Sequence, residues 1–460
     1  KTYLQNLNIE GAAIGKTGLE SSLDEQMLGS PGYLRYEVNA YGKKVKKVAT
    51  DPGLKGKTFR TTLDQNIQIL STEALQDVSG AICVMDIYNG DIISMVSSPN
   101  FNPNSFVHGV KNNEWKELTE NIDKPMLNKA VSGLYPPGST IKTLTAISAL
   151  ENDIVSPKLI VHCKGYIDLH GERFHCWKKK GHGFVGMRTA LKKSCDVYFY
   201  EVSRKLGIDR LSVTAKKFGL GKKVLQNYNE EKAGVVPNTR WKKRELGKNW
   251  YLGETLHSGI GQGYFLTTPL QLSLMTAQIA NGGFKIEPRI LVEDNDKVGD
   301  LQKYLNHKST TPGNVMSLTD QIYNFNLQPL FRNQENINLV KDAMFAATNE
   351  VGGTSYRSRY KEKKFRFAGK TGSSQIKRFT EKQREAEIKQ KDITYLERDH
   401  AWFVAFAPVQ DPQYAISVLV EHGGSGSSAA APIAKKIIKR VIERHEIRIA
   451  QKKKLSGKNI

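Results

Sequence analysis

Apolar and polar positions along the chain change rhythm several times. Up to about residue 60 the chain is polar and rich in glycine, with Tyr33 to Val38 alternating as a strand does before a basic turn at Gly42-Lys43-Lys44. From Thr61 the apolar positions become dense. Leu63 to Leu75 has helical spacing, whereas Ala81 to Met85 and Ile92 to Val96 are short apolar runs joined across Asn89-Gly90, a pair that tight hairpin turns favour. Ile141, Leu144, Ile147 and Leu150 recur at a helical period and predict a helix beginning at Ser139, just after the breaker Pro136-Pro137-Gly138. Another helix is predicted after Asp196, from Val197 to Leu206. Phe365 to Ala368, Ala401 to Ala407 and Tyr414 to Val420 read as strands, and Pro432 to Ile447 as an amphipathic basic helix. Hairpin strands enclosing helices predict an α+β fold, and without an internal repeat the chain does not read as a solenoid or propeller.

This pattern divides the chain into a small accessory region over 1–60, one large domain over 61–450 and a basic tail over 451–460. The charge-dense stretch Glu381 to Arg398 reads as a solvated insertion. Composition adds that 39% hydrophobic and 25% charged residues in 460 positions suit a folded chain with a real core. The net charge of +22 favours polyanions as neighbours. Yet Lys43 to Lys47, Lys178 to Lys180, Lys361 to Lys364 and Lys452 to Lys454 are scattered and form no zinc-finger, helix-turn-helix or RNA-recognition pattern. A specific nucleic-acid partner is therefore not expected. No run approaches the roughly 18 apolar residues of a membrane span, and Lys1-Thr2-Tyr3 does not begin a signal peptide, so the chain reads as soluble, as a trimmed ectodomain also would.

The chemistry starts with Ser139-Thr140-Ile141-Lys142, which places a hydroxyl and an amine three residues apart at a helix start, on one face. A serine alcohol needs a base, and a lysine serves as one only when burial or nearby cations hold it partly neutral. Such a tetrapeptide is weak evidence alone. Ser194-Cys195-Asp196 and Lys370-Thr371-Gly372-Ser373 follow it in the chain order that acyl-serine penicillin-recognising enzymes use.

On these three motifs the sequence resembles the class B penicillin-binding proteins, and among them the penicillin-binding protein 2 subgroup of the rod-elongation machinery. Ile14 to Gly18, Glu37-Val38-Asn39, Tyr135 to Gly138, Gly259 to Gly263 and His400 to Val404 support the resemblance. It implies a transpeptidase domain of the serine β-lactamase-like type, an antiparallel sheet with surrounding helices, preceded by a partial pedestal. It further implies that Ser139 attacks the penultimate D-alanine carbonyl of a peptidoglycan stem peptide and is acylated by β-lactams. Lys142 would be the general base and Ser194 the proton relay. Lys370 and Thr371 would bind the terminal carboxylate, Gly372 would let the strand lie close to substrate, and the amides of Ser139 and Ser373 would form the oxyanion hole. The middle motif ends in Asp196, as in that subgroup, where most of the superfamily has Asn. Asp196 would orient Lys142, bind substrate, or simply cap the following helix.

Three of the four cysteines cluster with a histidine as Cys163-x12-Cys176-x5-His182-x12-Cys195, a donor set that suits a closed tetrahedral zinc site. A Cys163–Cys176 disulfide is the competing reading, and His162, His170 and His175 are alternative ligands. Some relatives carry zinc with aspartates in the first two places, a pattern that resembles Trp177 to His182 and Cys195 here. Zinc would pin the catalytic loop through Cys195 without joining the chemistry, for which no cofactor is expected.

The resemblance also implies a periplasmic ectodomain, normally anchored in the inner membrane by an N-terminal helix, working with RodA and MreC. A D,D-carboxypeptidase or a serine β-lactamase would share the three motifs, and a catalytically silent scaffold or β-lactam sensor would share the fold.

Overall fold

The structure is a computed structural model that describes residues 14–107, 109–292, 327–377 and 392–455. Most of the insertion expected over Glu381 to Arg398, and the end of the basic tail, lie outside the described residues. Five strands form one antiparallel sheet in the order β4-β3-β11-β10-β9, with β3 Gly80–Asp86, β4 Ile92–Ser98, β9 Ala368–Ser374, β10 His400–Ala407 and β11 Tyr414–Val420. The hairpin predicted across Asn89-Gly90 is the β3–β4 pair, with Gly90 at a φ of +76°.

Alternation in these strands builds two cores. Ala81, Cys83 and Met85 with Trp402, Val404 and Phe406 face one core, while Ile82 and Val84 with Phe403 and Ala405 face the other. Because helices cover both faces, β11 is buried at every position and reads as a continuous apolar run. The first core holds the helices Lys142–Glu151, Asp196–Leu206 and Pro269–Ala280, the last of which is buried along its whole length. The second holds Gln65–Ala74 and Ala431–Glu443.

Three predicted boundaries move. The strand expected at Phe365 to Ala368 begins only at Ala368 and runs through the Lys370-Thr371-Gly372-Ser373 motif, because Lys363–Phe365 is a 3-10 turn. The helix expected over Pro432 to Ile447 ends at Glu443, and a second helix, His445–Leu455, follows it. At the break, the Arg444 and Arg448 side chains reach back to Asp64, which also caps Gln65–Ala74. The third shift is at Ser139 and belongs to the site below.

Near the N-terminus, the strand expected at Tyr33 to Val38 is β1, paired antiparallel with β2, Lys44–Asp51. Both faces of this hairpin are largely exposed, including Tyr33, Leu34, Val45 and Val48. Among the described residues no helix is long and apolar enough to cross a membrane.

At the end of the sheet two neighbours titrate in opposite senses. Burial, then the charge of His422, pulls His400 down to about 4, and its Nδ1 accepts from the His422 amide at 3.1 Å. Burial pushes Asp399 up to about 6, against the Ile376 amide. Acidification from about pH 6.5 to about 4 protonates His400 in the unfolded chain but not in the folded one, so its contribution to stability is lost. Asp399 does the reverse, since its contribution is present below about 3.8 and lost as pH rises through about 6. The two nearly cancel. Asp399→Asn is expected to deepen the loss of stability between pH 6.5 and 4 by roughly 2–3 kcal/mol relative to the parent, at about 1.4 kcal/mol per pKa unit. Urea midpoints at the two pH values check this; equal losses in both proteins would refute it.

Candidate active site and metal cluster

Ser139 lies on a 3-10 turn, Gly138–Ile141, and the α-helix proper starts at Lys142, three residues later than the periodicity suggests. The cause is the crowded entry. Gly138 has a φ of +53°, donates its N–H to the Gly261 carbonyl at 2.9 Å, and lies so near β9 that a Cβ would sit 2.5 Å from the Ser373 oxygen. In a 3-10 turn residues three apart eclipse, which puts Ser139 and Lys142 on one side of the turn. Ser139 is half-buried, whereas Lys142 is fully buried.

Ser194 occupies the link between the Met187–Lys192 and Asp196–Leu206 helices. Its amide donates to the Leu191 carbonyl and that of Cys195 to the Ala190 carbonyl, the pattern of a Schellman turn with Ser194 in the place usually given to glycine. Its φ is +54°. A left-handed serine costs about 1–2 kcal/mol, and here the strained residue carries a hydroxyl into the centre of the site.

That hydroxyl is where the three motifs meet. Lys370 Nζ donates to Ser194 Oγ at 2.8 Å and Lys142 Nζ to the same oxygen at 3.3 Å. Lys142 also donates to the Ser194 carbonyl at 3.0 Å and to Asp196 Oδ1 at 2.6 Å. Of the roles left open for Asp196, orienting Lys142 is the one the geometry displays; its other oxygen accepts from the Trp177 amide at 2.8 Å. Burial raises the Asp196 carboxyl while the neighbouring Lys142 opposes that rise. Burial, then the charge of Lys142, holds Lys370 well below the ordinary lysine value, with Asp196 pulling the other way. A lysine so placed gains charge most readily when an anion stands beside it.

Lys370 to Ser373 lie on β9, the edge strand. The Thr371 hydroxyl donates to Thr354 Oγ1 at 3.0 Å. A Cβ on Gly372 would stand 3.0 Å from the Thr140 methyl and 3.1 Å from the Pro137 oxygen, so this glycine lets the strand lie against the turn that carries Ser139. Trp177, Thr354 and Gln262 are site neighbours without a role in the sequence reading, although the runs Trp177 to His182 and Gly259 to Gly263 stood out.

Cys163 closes β5, Ile160–Cys163, and His182 precedes β8, Gly183–Gly186, which pairs with it. Between them, β6, Tyr166–Leu169, and β7, Glu172–His175, form a second hairpin that delivers Cys176. Cys195 comes from the Ser194 turn. The ligand atoms of Cys163, Cys176, His182 and Cys195 all lie within 4.8 Å of one another, and all four cysteines of the chain are free thiols. His182 turns Nδ1 toward Cys176 Sγ at 3.5 Å and Cys163 Sγ at 3.7 Å. A tetrahedral zinc with Zn–S near 2.3 Å and Zn–N near 2.0 Å has N···S edges of about 3.5 Å, so the donor set fits that ion in type and in its two His182–cysteine distances. A thiol hydrogen bond from Cys195, then burial's opposition, then His182, leaves Cys176 lowered to about 2; the Cys195 thiol is raised by that same bond and by burial, and Cys163 by burial. His162 is on β5, His170 in the turn after β6 and His175 at the end of β7 against Tyr166, outside the cluster.

The cluster grips the catalytic turn from behind. The Asp196 amide donates to Cys176 Sγ at 3.4 Å, and the Trp177 indole donates to the Ser194 carbonyl at 3.1 Å.

The profile described as penicillin binding protein transpeptidase domain matches residues 80–439, and the one described as penicillin-binding protein dimerisation domain matches 1–61. The peptidoglycan D,D-transpeptidase MrdA of Acinetobacter baumannii is 35% identical over 427 residues, covering 91% of this chain and 60% of the relative. That of Haemophilus influenzae is 32% identical, covering 96% and 66%. The chain thus spans roughly two thirds or less of these relatives' length. Among solved structures, the complex between penicillin-binding protein 2 and MreC from Helicobacter pylori aligns with a TM-score of 0.78 at 30% identity, covering 94% of this chain and 73% of that one. Pseudomonas aeruginosa penicillin-binding protein 2 in complex with WCK 5153 gives 0.74 at 32%, covering 93% and 83%. The α+β sheet, the three converging motifs and these matches agree: the chain belongs to the penicillin-binding protein transpeptidase family, in the penicillin-binding protein 2 group.

Proposed function

We propose that this chain cross-links peptidoglycan as a D,D-transpeptidase through an acyl-serine at Ser139. The observation that carries the reading is the hub at Ser194 Oγ, where Lys142 and Lys370 both donate while Asp196 holds Lys142. Ser139 Oγ bonds to the penultimate D-alanine carbonyl carbon as Lys142 takes its proton. The oxyanion is held by the amides of Ser139 and Ser373. As the peptide bond breaks, Ser194 hands a proton to the departing D-alanine amine, and Lys142 resupplies it. An acceptor stem amine then attacks the ester, its proton leaves by the same route, and Ser139 is released. The substrate's terminal carboxylate, beside Lys370 and Thr371, restores the charge that burial discourages on Lys370. β-Lactams enter the same step and stop at the ester.

Incubation with a stem pentapeptide donor and an acceptor stem is expected to give a cross-linked dimer. Shortened peptide without dimer would instead assign a D,D-carboxypeptidase. Rapid turnover of penicillin would assign a β-lactamase, a stable penicillin adduct without action on stem peptides a β-lactam sensor, and no reaction with either a silent scaffold.

Zinc on Cys163, Cys176, His182 and Cys195 belongs to this proposal as a structural ion. Its support is the donor set and its spacing. Bound there, it would supply rigidity to the Ser194–Asp196 turn and take no part in proton or acyl transfer. A periplasmic setting in the rod-elongation machinery completes the reading, since peptidoglycan lies outside the cytoplasm. MreC is proposed as a partner on the likeness to the MreC complex. RodA rests on a further likeness, TM-score 0.74 at 26% identity, to a structure titled for coordination of polymerization and crosslinking by a peptidoglycan synthase complex.

A further inference from the structure

The two halves of the oxyanion hole come from segments far apart in the sequence, and something must set the distance between them. Ser139 lies on the 3-10 turn before a helix, and Ser373 lies on the edge strand β9. Gly261 and Gln262 touch both sides. The Gly261 carbonyl accepts from Gly138, the residue before the nucleophile, at 2.9 Å. The Gln262 side chain donates from Nε2 to the Ser373 carbonyl at 3.0 Å and accepts at Oε1 from the Gln375 amide at 3.3 Å. Ser373 lies on β9 and Gln375 is the first residue past its end, so one carboxamide supplies the donor and the acceptor that a neighbouring strand would give to an otherwise open edge. The Ser373 N–H points from that same edge.

The mounting is stiff. Gly261 and Gln262 follow the Leu252–Gly259 helix, with the Gln262 amide bonded to the His257 carbonyl at 2.9 Å and that of Gly261 to Ser258 at 3.0 Å. Gly261 has a φ of +78°, and a Cβ there would lie 2.1 Å from the Gly138 oxygen. Thr145, in the helix that carries Lys142, donates to the Gly259 carbonyl at 2.9 Å. The same short segment is therefore tied to the nucleophile's turn, the nucleophile's helix and the oxyanion strand.

We infer that Gly261-Gln262 is a bracket fixing the span between the two oxyanion amides, and that Gln262 is a positioning residue acting through Ser373. This rests on the acyl-serine reading above. Misplacing a catalytic group by about an ångström slows a reaction on the order of 10²-fold. Loss of one of two bracket arms should act below that ceiling.

The test is penicillin acylation of the full chain, with the acylation rate constant separated from the preceding binding constant by a concentration series. Gln262→Ala is expected to lower the rate constant by about tenfold or more and to move the binding constant by less than about threefold. Gln262→Glu keeps the shape, so it serves even if the alanine variant fails to fold. Its carboxylate cannot donate to the Ser373 carbonyl, but its protonated form can. The rate of the Glu variant relative to the parent at the same pH should therefore climb as pH falls, a signature that packing alone would not produce. An unchanged rate constant, a loss confined to the binding constant, or a flat Glu-to-parent ratio would each overturn the bracket while leaving the transpeptidase reading intact. A parent that penicillin does not acylate would overturn both.

Discussion

Ser139→Ala is expected to abolish the covalent penicillin adduct that the acyl-serine reading assigns to the parent chain, a loss on the order of 10⁴-fold or more in acylation. The oxygen removed is the one proposed to bond to the carbonyl carbon, and the neighbouring hydroxyl is not placed to replace it. Ser194 Oγ is engaged by two lysines and enters the site from a strained turn on another element. The fold should be indifferent, because a half-buried turn position loses one atom, within about 0.5 kcal/mol. Intact-mass spectra over time on both proteins, with unfolding midpoints alongside, decide it. An adduct on the alanine variant would place the nucleophile elsewhere.

The second large effect is expected from Cys176→Ser. The mutation removes a ligand from the four-residue cluster and the acceptor of the Asp196 amide. Structural zinc contributes about 10–16 kcal/mol of apparent binding energy in small zinc-dependent folds, so loss of the proposed ion should loosen what the cluster would hold. Here that includes the Ser194–Asp196 turn, which Trp177 bridges to the cluster. Zinc content is expected to fall from one per chain toward zero, and acylation by about 10²-fold, the upper end for disturbed metal surroundings. Stripping the parent with a strong chelator should reproduce the loss, and added zinc should restore the parent but not the variant. Cys83→Ser, on β3 and outside the cluster, is the control. A parent without zinc, or a stripped parent that acylates at the original rate, would remove the ion from the account.

Much of this was legible before the structure. The hydrophobic pattern located β3, β4, β10 and β11 because buried strands announce themselves as apolar runs. The three motifs were legible as residue types in order, and the cysteine spacing as a donor set. What escaped depends on contacts that no local pattern carries. β9 was missed in part because its sequence is small and polar, as an edge strand beside a reactive site must be. Thr354 and Gln262 reach their partners across 17 and 111 positions or more. The φ of Ser194 is hidden for another reason. Serine in a left-handed turn contradicts its own preference, and only the surrounding helices reveal that the turn requires it.

The order of strands has a consequence for how the protein comes into being. Gly80 to Asp86 pairs with Tyr414 to Val420, at the far end of the chain, and among the described residues β9 pairs only with β10, which is made after it. While the chain is synthesised from its N-terminus, Ser139, Lys142 and Ser194 all emerge early, but the layer that receives Lys370 cannot close until the last two strands arrive. On the acyl-serine reading, an unfinished chain is chemically mute and penicillin does not label it. Acylation would then report completion of the molecule, and a truncation anywhere before residue 420 is expected to silence a serine more than 280 residues upstream.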